Sequence, residues 1–277
     1  MSRFQVGVFY APEKKHSFKY LEAFEAGIKK HGHPVTVIQT PHFVECDLAV
    51  CWGFRLKYIQ YNQKRLNADY LILERGYVGD RFAYSSCGFN GLNGRADFSY
   101  APTEKLRLEE YFNDEFITLN KTEKKHILVI GQLFGDASVE HVNIREWEKE
   151  TIAVLSKLYP QIPIIYRPHP IEIKHGIQHT YVGATNSKNK KLADDLQEAI
   201  VCVTFNSTSA VEAVLADVPT ISCDAGSMAY DITSHELTTY GASPNRREWA
   251  EKLVWKQFSI QEFQSGYAWD ILRRHYK

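Results

Sequence analysis

No apolar run in the 277 residues approaches the roughly 18 that a membrane-spanning helix needs, so membrane contact is expected to be peripheral at most. The opening MSRFQVGVFYAPEKK breaks its short apolar run at Gln5 and Gly7 and then turns charged, which is too polar for a secretory signal. Net charge is missing as well. The 33 basic residues offset 33 acidic ones, which excludes a broad positive field for duplex nucleic acid but leaves a local basic groove open. Five cysteines, at positions 46, 51, 87, 202 and 223, form no CxxC pair and no zinc-finger rhythm, so reduced, mostly buried thiols and a cytoplasmic setting are expected. Also absent are GxGxxG, GxxxxGKS, HExxH, a DxD pair and a GxSxG elbow. These absences weigh against a dinucleotide enzyme, a P-loop protein, a zinc enzyme and a hydrolase triad. The expectation is a mechanism that uses neither metal nor cofactor.

What is present is enough to build large cores: 44% of residues are hydrophobic and 24% charged, in a length that suits two domains of about 120 to 150 residues. Strand-like FQVGVFYA, PVTVIQT, CDLAVCWGF and DYLILE alternate with helical SFKYLEAFEAGIKKHG and KYIQYNQKRLNA. After a charged, weakly periodic stretch at 101–123 the pattern restarts at KKHILVIG, placing a domain boundary between 1–122 and 123–277. The second half reads as strands HILVIG, PIIYRPHP, IVCVTF and PTISC, with helices IREWEKETIAVLSKLY, LADDLQEA and SAVEAVLAD. The fold class is therefore α/β, two doubly wound domains in tandem. The last stretch, 244–276, reads as one or two amphipathic helices anchored by tryptophans that pack back on the first domain, and NSKNKK at 186–191 reads as a solvated loop.

In such sheets ligands bind beyond the carboxyl ends of the strands, which directs attention to three polar loops in the second half. Asn206, Ser207, Thr208 and Ser209 open a helix, where they serve either as plain caps or as an anion site, with Glu212 one turn inside. In YRPHP, Arg167 and His169 stand between prolines that stiffen the backbone, a pairing suited to phosphate. GQLFGDAS offers Gln132 and brings Asp136 to a strand end, either as a cap or as a carboxylate facing substrate. In the first half, ERGYVGDRFAYSSCGFNGLNG at 74–94 follows a strand with two arginines, aromatic rings and five glycines. A loop of that make-up suits a polar ligand better than a core.

Four segments, LERGYVGDRFAYSSCGFNGLN, ILVIGQLFGDASV, YRPHP and NSTSAVEAVLADVPTISCDAGSMAYDIT, resemble in order the motifs of bacterial capsular polysaccharide glycosyltransferases, the group that includes Kdo transferases. The match spans about 74–233. The chain departs from the family at GYVGD, where GYLRP is common, and it lacks the basic amphipathic stretch expected of an enzyme acting on a lipid-linked glycan. The resemblance implies a GT-B fold with two Rossmann-like domains facing a central cleft, the nucleotide sugar on the C-terminal side and the acceptor on the N-terminal side. It implies Glu74 as general base or acid and Asp136 as the second catalytic carboxylate, a nucleophile if configuration is retained. Gln132, Arg167, His169, Asn206, Ser207, Thr208, Ser209 and Glu212 would hold the UDP- or CMP-linked donor. Arg75, Asp80, Arg81, Asn90 and Asn93 would meet acceptor or phosphate, or the arginines would pair with Glu74 and Asp80. The acceptor is expected to be a surface glycan or a hydroxymethylated base in phage DNA. A DNA acceptor would require Lys14, Lys15, Lys29, Lys30, Arg55, Lys57, Lys64 and Arg65 to line one stripe. A sugar-nucleotide epimerase and a non-catalytic nucleotide-sugar-binding protein are the alternatives.

Overall fold

The computed structural model describes residues 4–102, 107–108, 123–241, 243 and 245–276. Most of the charged 101–123 stretch, including residue 122, lies outside them. In chain order the elements begin β1 (Val6–Tyr10), α1 (Phe18–Lys30), β2 (Val35–Gln39), β3 (Leu48–Trp52), α2 (Lys57–Arg65), β4 (Asp69–Arg75) and β5 (Tyr84–Phe89). They continue β6 (His126–Ile130), α3 (Ile144–Leu158), β7 (Ile164–Arg167), α4 (Pro170–Lys174), β8 (Thr185–Asn186), α5 (Leu192–Gln197), β9 (Ala199–Thr204), α6 (Ser209–Leu215) and β10 (Thr220–Ser222). The chain closes with α7 (Arg246–Val254), β11 (Gln257–Ser259), α8 (Ile260–Ser265) and α9 (Tyr267–Leu272). Contacts divide it into two units, Met1–Asp114 with Ala250–Lys277, and Glu115–Trp249.

The first unit holds a six-stranded sheet in the order β11-β5-β4-β3-β1-β2. β1 to β4 are parallel, and β3, LAVCW, is buried along its whole length, as a strand covered on both faces must be. On one face α1 lays Tyr20, Leu21, Phe24 and Ile28 into a core shared with Trp255, Phe258, Phe263 and Trp269 from the end of the chain. Gly27 permits this approach: a Cβ there would lie 1.9 Å from the Phe263 carbonyl oxygen. α2 covers the opposite face through Ile59.

Two expectations are corrected in this unit. The 74–94 stretch is not one loop, because β5 runs through it antiparallel to β4, and the terminal stretch contains β11, which pairs antiparallel with β5. The sheet is accordingly mixed at one margin. The second unit is a five-stranded parallel sheet, β10-β9-β6-β7-β8, with cores on both faces. Its strand order reverses between β6 and β9, and that switch point is where doubly wound sheets open a ligand crevice. The PIIYRPHP segment ends as a strand at Arg167, since Pro168 and Pro170 cannot continue the ladder and Pro170 starts α4.

Candidate active site

At the switch point of the second unit, Gln132 after β6 and Asn206 after β9 face one another. Gln132 Nε2 donates to Asn206 Oδ1 (2.8 Å), and Asn206 N–H donates to Gln132 Oε1 (2.9 Å). Asn206 Nδ2 reaches the Ser138 carbonyl (2.9 Å) and Asp224 Oδ1 (2.7 Å). Both amides are buried and their polar atoms are spent on this lattice, so they fix the ends of β6 and β9 against one another. Asp136, in the loop after β6, is half-buried, with Oδ1 taking the Ser138 N–H (2.9 Å) and hydroxyl (2.7 Å). Asp224, which sequence reading passed over, also meets His141 Nε2 at 3.3 Å.

Along the same edge, Ser207 Oγ accepts from the Ser209 N–H and donates to Ser209 Oγ, both at 3.2 Å. Thr208 occupies the cap position of α6 without a side-chain cap bond, and Glu212 is exposed. His169 caps α4: its Nδ1 accepts from the Ile171 N–H (3.2 Å), which puts the ring proton on Nε2 in the neutral form. Arg167 is turned toward its own unit, with Nη1 on Asp195 Oδ2 (2.5 Å) and Asn189 O (3.0 Å) and Nη2 on Lys190 O (2.9 Å). Three of its five donors are thereby committed to protein.

Beneath the GQLFG loop lies a cluster that sequence reading missed. Arg145 bridges two buried carboxylates, donating to Glu148 Oε2 (2.7 Å) and to Glu172 Oε1. Glu148 Oε1 takes the Gln132 N–H (3.1 Å) and Glu172 Oε1 the Phe134 N–H (3.3 Å), so the pair fixes the loop backbone. Tyr181 donates to Glu148, and burial followed by that bond and charge pushes its phenol up to about 12. Gly131 is required here, since a Cβ would lie 2.3 Å from the Tyr166 hydroxyl oxygen. One signal was available: Glu148 falls on the stripe of Ile144, Ile152 and Leu155, where a carboxylate must find a partner.

In the first unit, Glu74 is the last residue but one of β4, with Oε1 accepting the Arg75 N–H (3.0 Å), and its Oε2 lies 3.5 Å from where a Cβ on Gly53 would stand. Gly53 has φ +72°, so only glycine leaves that space open without strain. Arg75 stacks between Trp52 (5.3 Å) and Phe82 (4.7 Å). Tyr20 donates to the Phe82 carbonyl, and burial raises its phenol against the opposing Arg75 charge. Asp80 caps its own turn by accepting the Phe82 N–H (2.9 Å), while Arg81 is exposed. The Gly76–Val78 turn that follows Glu74 is held by buried Gln257, whose Oε1 accepts from Tyr77 (2.7 Å) and Val78 (3.0 Å) N–H groups.

The structure does not bring Asn90 beside Glu74. β5 carries the chain back, so Asn90 pairs with Tyr70 at the amino end of β4, about 13 Å along the strand from Glu74. Asn90, at φ +56°, also donates to Asp69 Oδ1 (2.6 Å), a structural role. Asn93 accepts from the Tyr77 hydroxyl (3.2 Å). The basic residues of the first half divide between the two edges. Lys14 and Lys15 precede α1 and Lys29 and Lys30 end it, about 20 Å away; Arg55 and Lys57 open α2 while Lys64 and Arg65 close it. Among the described residues no three His, Cys, Asp or Glu side chains form a group that could hold a metal ion.

No family model matches the sequence, and no curated protein matches it. Solved structures do. A β-Kdo 2,4-transferase of Thermosulfurimonas dismutans KpsC superposes with a TM-score of 0.63 at 14% identity, covering 94% of this chain and 93% of that one. The β-Kdo 2,7-transferase of the same organism's KpsC gives 0.57 at 14% identity, covering 100% of both. A UDP-GlcNAc 2-epimerase of Methanocaldococcus jannaschii reaches only 0.37 at 12% identity, over 99% and 100%. At these identities the likeness is one of fold. The chain thus has the GT-B fold, two Rossmann-like units in tandem, that these two Kdo transferases share.

Proposed function

We propose that this protein is a metal-independent glycosyltransferase that moves a sugar from a nucleotide-sugar donor to a hydroxyl of a surface glycan. The observation that carries the reading is the pairing of that fold with Asp136 at the switch-point edge of the second unit. Donor binding is assigned to that edge, to His169 and to the Thr208 and Ser209 hydroxyls, with Ser207 orienting Ser209 through its own hydroxyl, as the contacts of a diphosphate or phosphate. Asp136 keeps Oδ2 for the sugar carbon, as nucleophile or as stabiliser of developing positive charge. Glu74 takes the acceptor proton, and the Arg75 guanidinium, held by its two rings, meets negative charge. Gln132 and Asn206 shape the crevice and do not need to touch the nucleotide. The division of the basic residues between two edges favours a glycan over DNA as acceptor.

A thermal-shift panel of CMP, UDP, GDP and dTDP with their sugar conjugates tests donor binding, because a ligand bound by the folded state alone raises Tm. One nucleotide is expected to stand out, with EDTA making no difference. No shift from any of them, at concentrations far above ordinary affinities, would end the reading.

A further inference from the structure

The outer margin of the second unit combines exposed apolar side chains with an excess of lysine. β8 is the last strand of its sheet, and the chain around it presents Ile171 (43% exposed), Ile173 (54%), Ile177 (44%) and Val182 (100%). Those are four of the thirteen large hydrophobic side chains exposed among the described residues, gathered within twelve positions. A fifth, Phe134, is tied to the same place by its N–H bond to Glu172.

Charge is segregated there too. From Ile173 to Ala193 the sequence contains no Asp or Glu, yet it carries Lys174, Lys188, Lys190 and Lys191 in a chain of zero net charge. All four lysines are exposed. The two lysine-bearing segments meet at the carboxyl end of β7, because Arg167 binds the carbonyls of Asn189 and Lys190 and α4 begins three residues later. The one acid on α4, Glu172, is buried against Arg145, so the helix turns its carboxylate inward and leaves Ile171, Ile173 and Lys174 outside.

Exposed isoleucines beside lysines, with acids withdrawn, match the boundary between acyl chains and anionic headgroups. Nucleic acid would use the lysines and leave the isoleucines in water. We propose that this margin docks the protein on an anionic lipid bilayer, the isoleucines entering the headgroup layer and the lysines facing lipid phosphates. The sequence reads 186–191 as a solvated loop, and no basic amphipathic stretch is visible, because the surface is assembled from two segments that only the fold unites. The surface adjoins the donor edge, since His169 caps α4 and Phe134 belongs to the loop after β6, but vesicle binding does not depend on the glycosyltransferase reading.

The test is co-sedimentation of the full chain with vesicles of phosphatidylcholine alone and of equal parts phosphatidylcholine and phosphatidylglycerol, at low and high salt. Binding is expected only to the mixed vesicles and should weaken with salt. Two surface variants, Ile171→Ser/Ile173→Ser/Ile177→Ser and Lys188→Glu/Lys190→Glu/Lys191→Glu, should each bind at least about tenfold more weakly while melting with the parent. Absence of binding to the mixed vesicles, or binding that neither variant weakens, would overturn the proposal. So would a preference for single-stranded RNA over vesicles that the lysine variant abolishes and the isoleucine variant leaves intact.

Discussion

Glu74 and Asp136 are the carboxylates that the proposed reaction uses; Glu74 Oε1 accepts the Arg75 N–H, and Asp136 Oδ1 accepts both the N–H and the hydroxyl of Ser138. Glu74→Gln and Asp136→Asn are expected to lower turnover by about 10²–10⁴-fold while nucleotide still raises Tm, since neither change removes a donor from the His169 and Ser207 edge. A steady-state assay beside a thermal-shift titration separates the two effects. Thiols provide a second residue-scale test. Burial pushes Cys46 and Cys223 up to about 11 and Cys51 to about 12, against an ordinary value near 9. Below pH 9 these thiols are protonated in both states and their contribution is complete. Above it the unfolded chain loses protons that the folded chain keeps, so stability is lost as pH climbs toward 11. Buried Tyr77 and Tyr100, also raised by burial, act in the same direction. The urea midpoint is expected to fall across that window, and a flat midpoint would contradict the burial argument. Loop composition marks these segments as polar strand ends, but it does not give side-chain orientations: nothing in YRPHP says that Asp195, 28 positions on, takes the Arg167 guanidinium.

The elements that sequence reading missed share a physical cause. β5, YSSCGF, has no apolar alternation because it is buried between β4 and β11, with Ser85 at 0% and Ser86 at 2% exposure. Its Gly88 is fixed by packing, since a Cβ there would sit 2.6 Å from that of Ala96. β11 is three residues long and lies between helices, too short for any period to show. Its Gln257 nevertheless anchors the turn after Glu74, donating to the Val78 carbonyl (2.9 Å) as well as accepting two N–H groups. Gln257→Leu leaves those N–H groups without their acceptor and is expected to cost about 2–4 kcal/mol in urea unfolding. Arg107 gives a larger effect from the same neighbourhood. It is buried, clamps Glu262 with two bonds (2.7 and 2.8 Å) and stacks on Trp255 and Phe258. Arg107→Met should destabilise by about 3–5 kcal/mol, because Glu262 would remain buried without its cation.

For the whole molecule, the alternation of strands and helices carried the α/β class and the two-sheet arrangement, because parallel sheets buried on both faces demand apolar runs at regular intervals. The mixed margin of the first sheet escaped that logic, as antiparallel edge strands obey no crossover spacing. The first unit depends on a discontinuous chain, with Trp255, Phe258, Phe263 and Trp269 completing the core that α1 begins. The most direct test of the central claim is incubation of the nucleotide sugar that binds best with candidate hydroxyl acceptors, following nucleotide release and product mass together. A product heavier by one glycosyl unit, formed in EDTA and lost in Asp136→Asn, is the expected result. Conversion of the donor to an isomer without any acceptor, or transfer untouched by both carboxylate substitutions, would contradict the account.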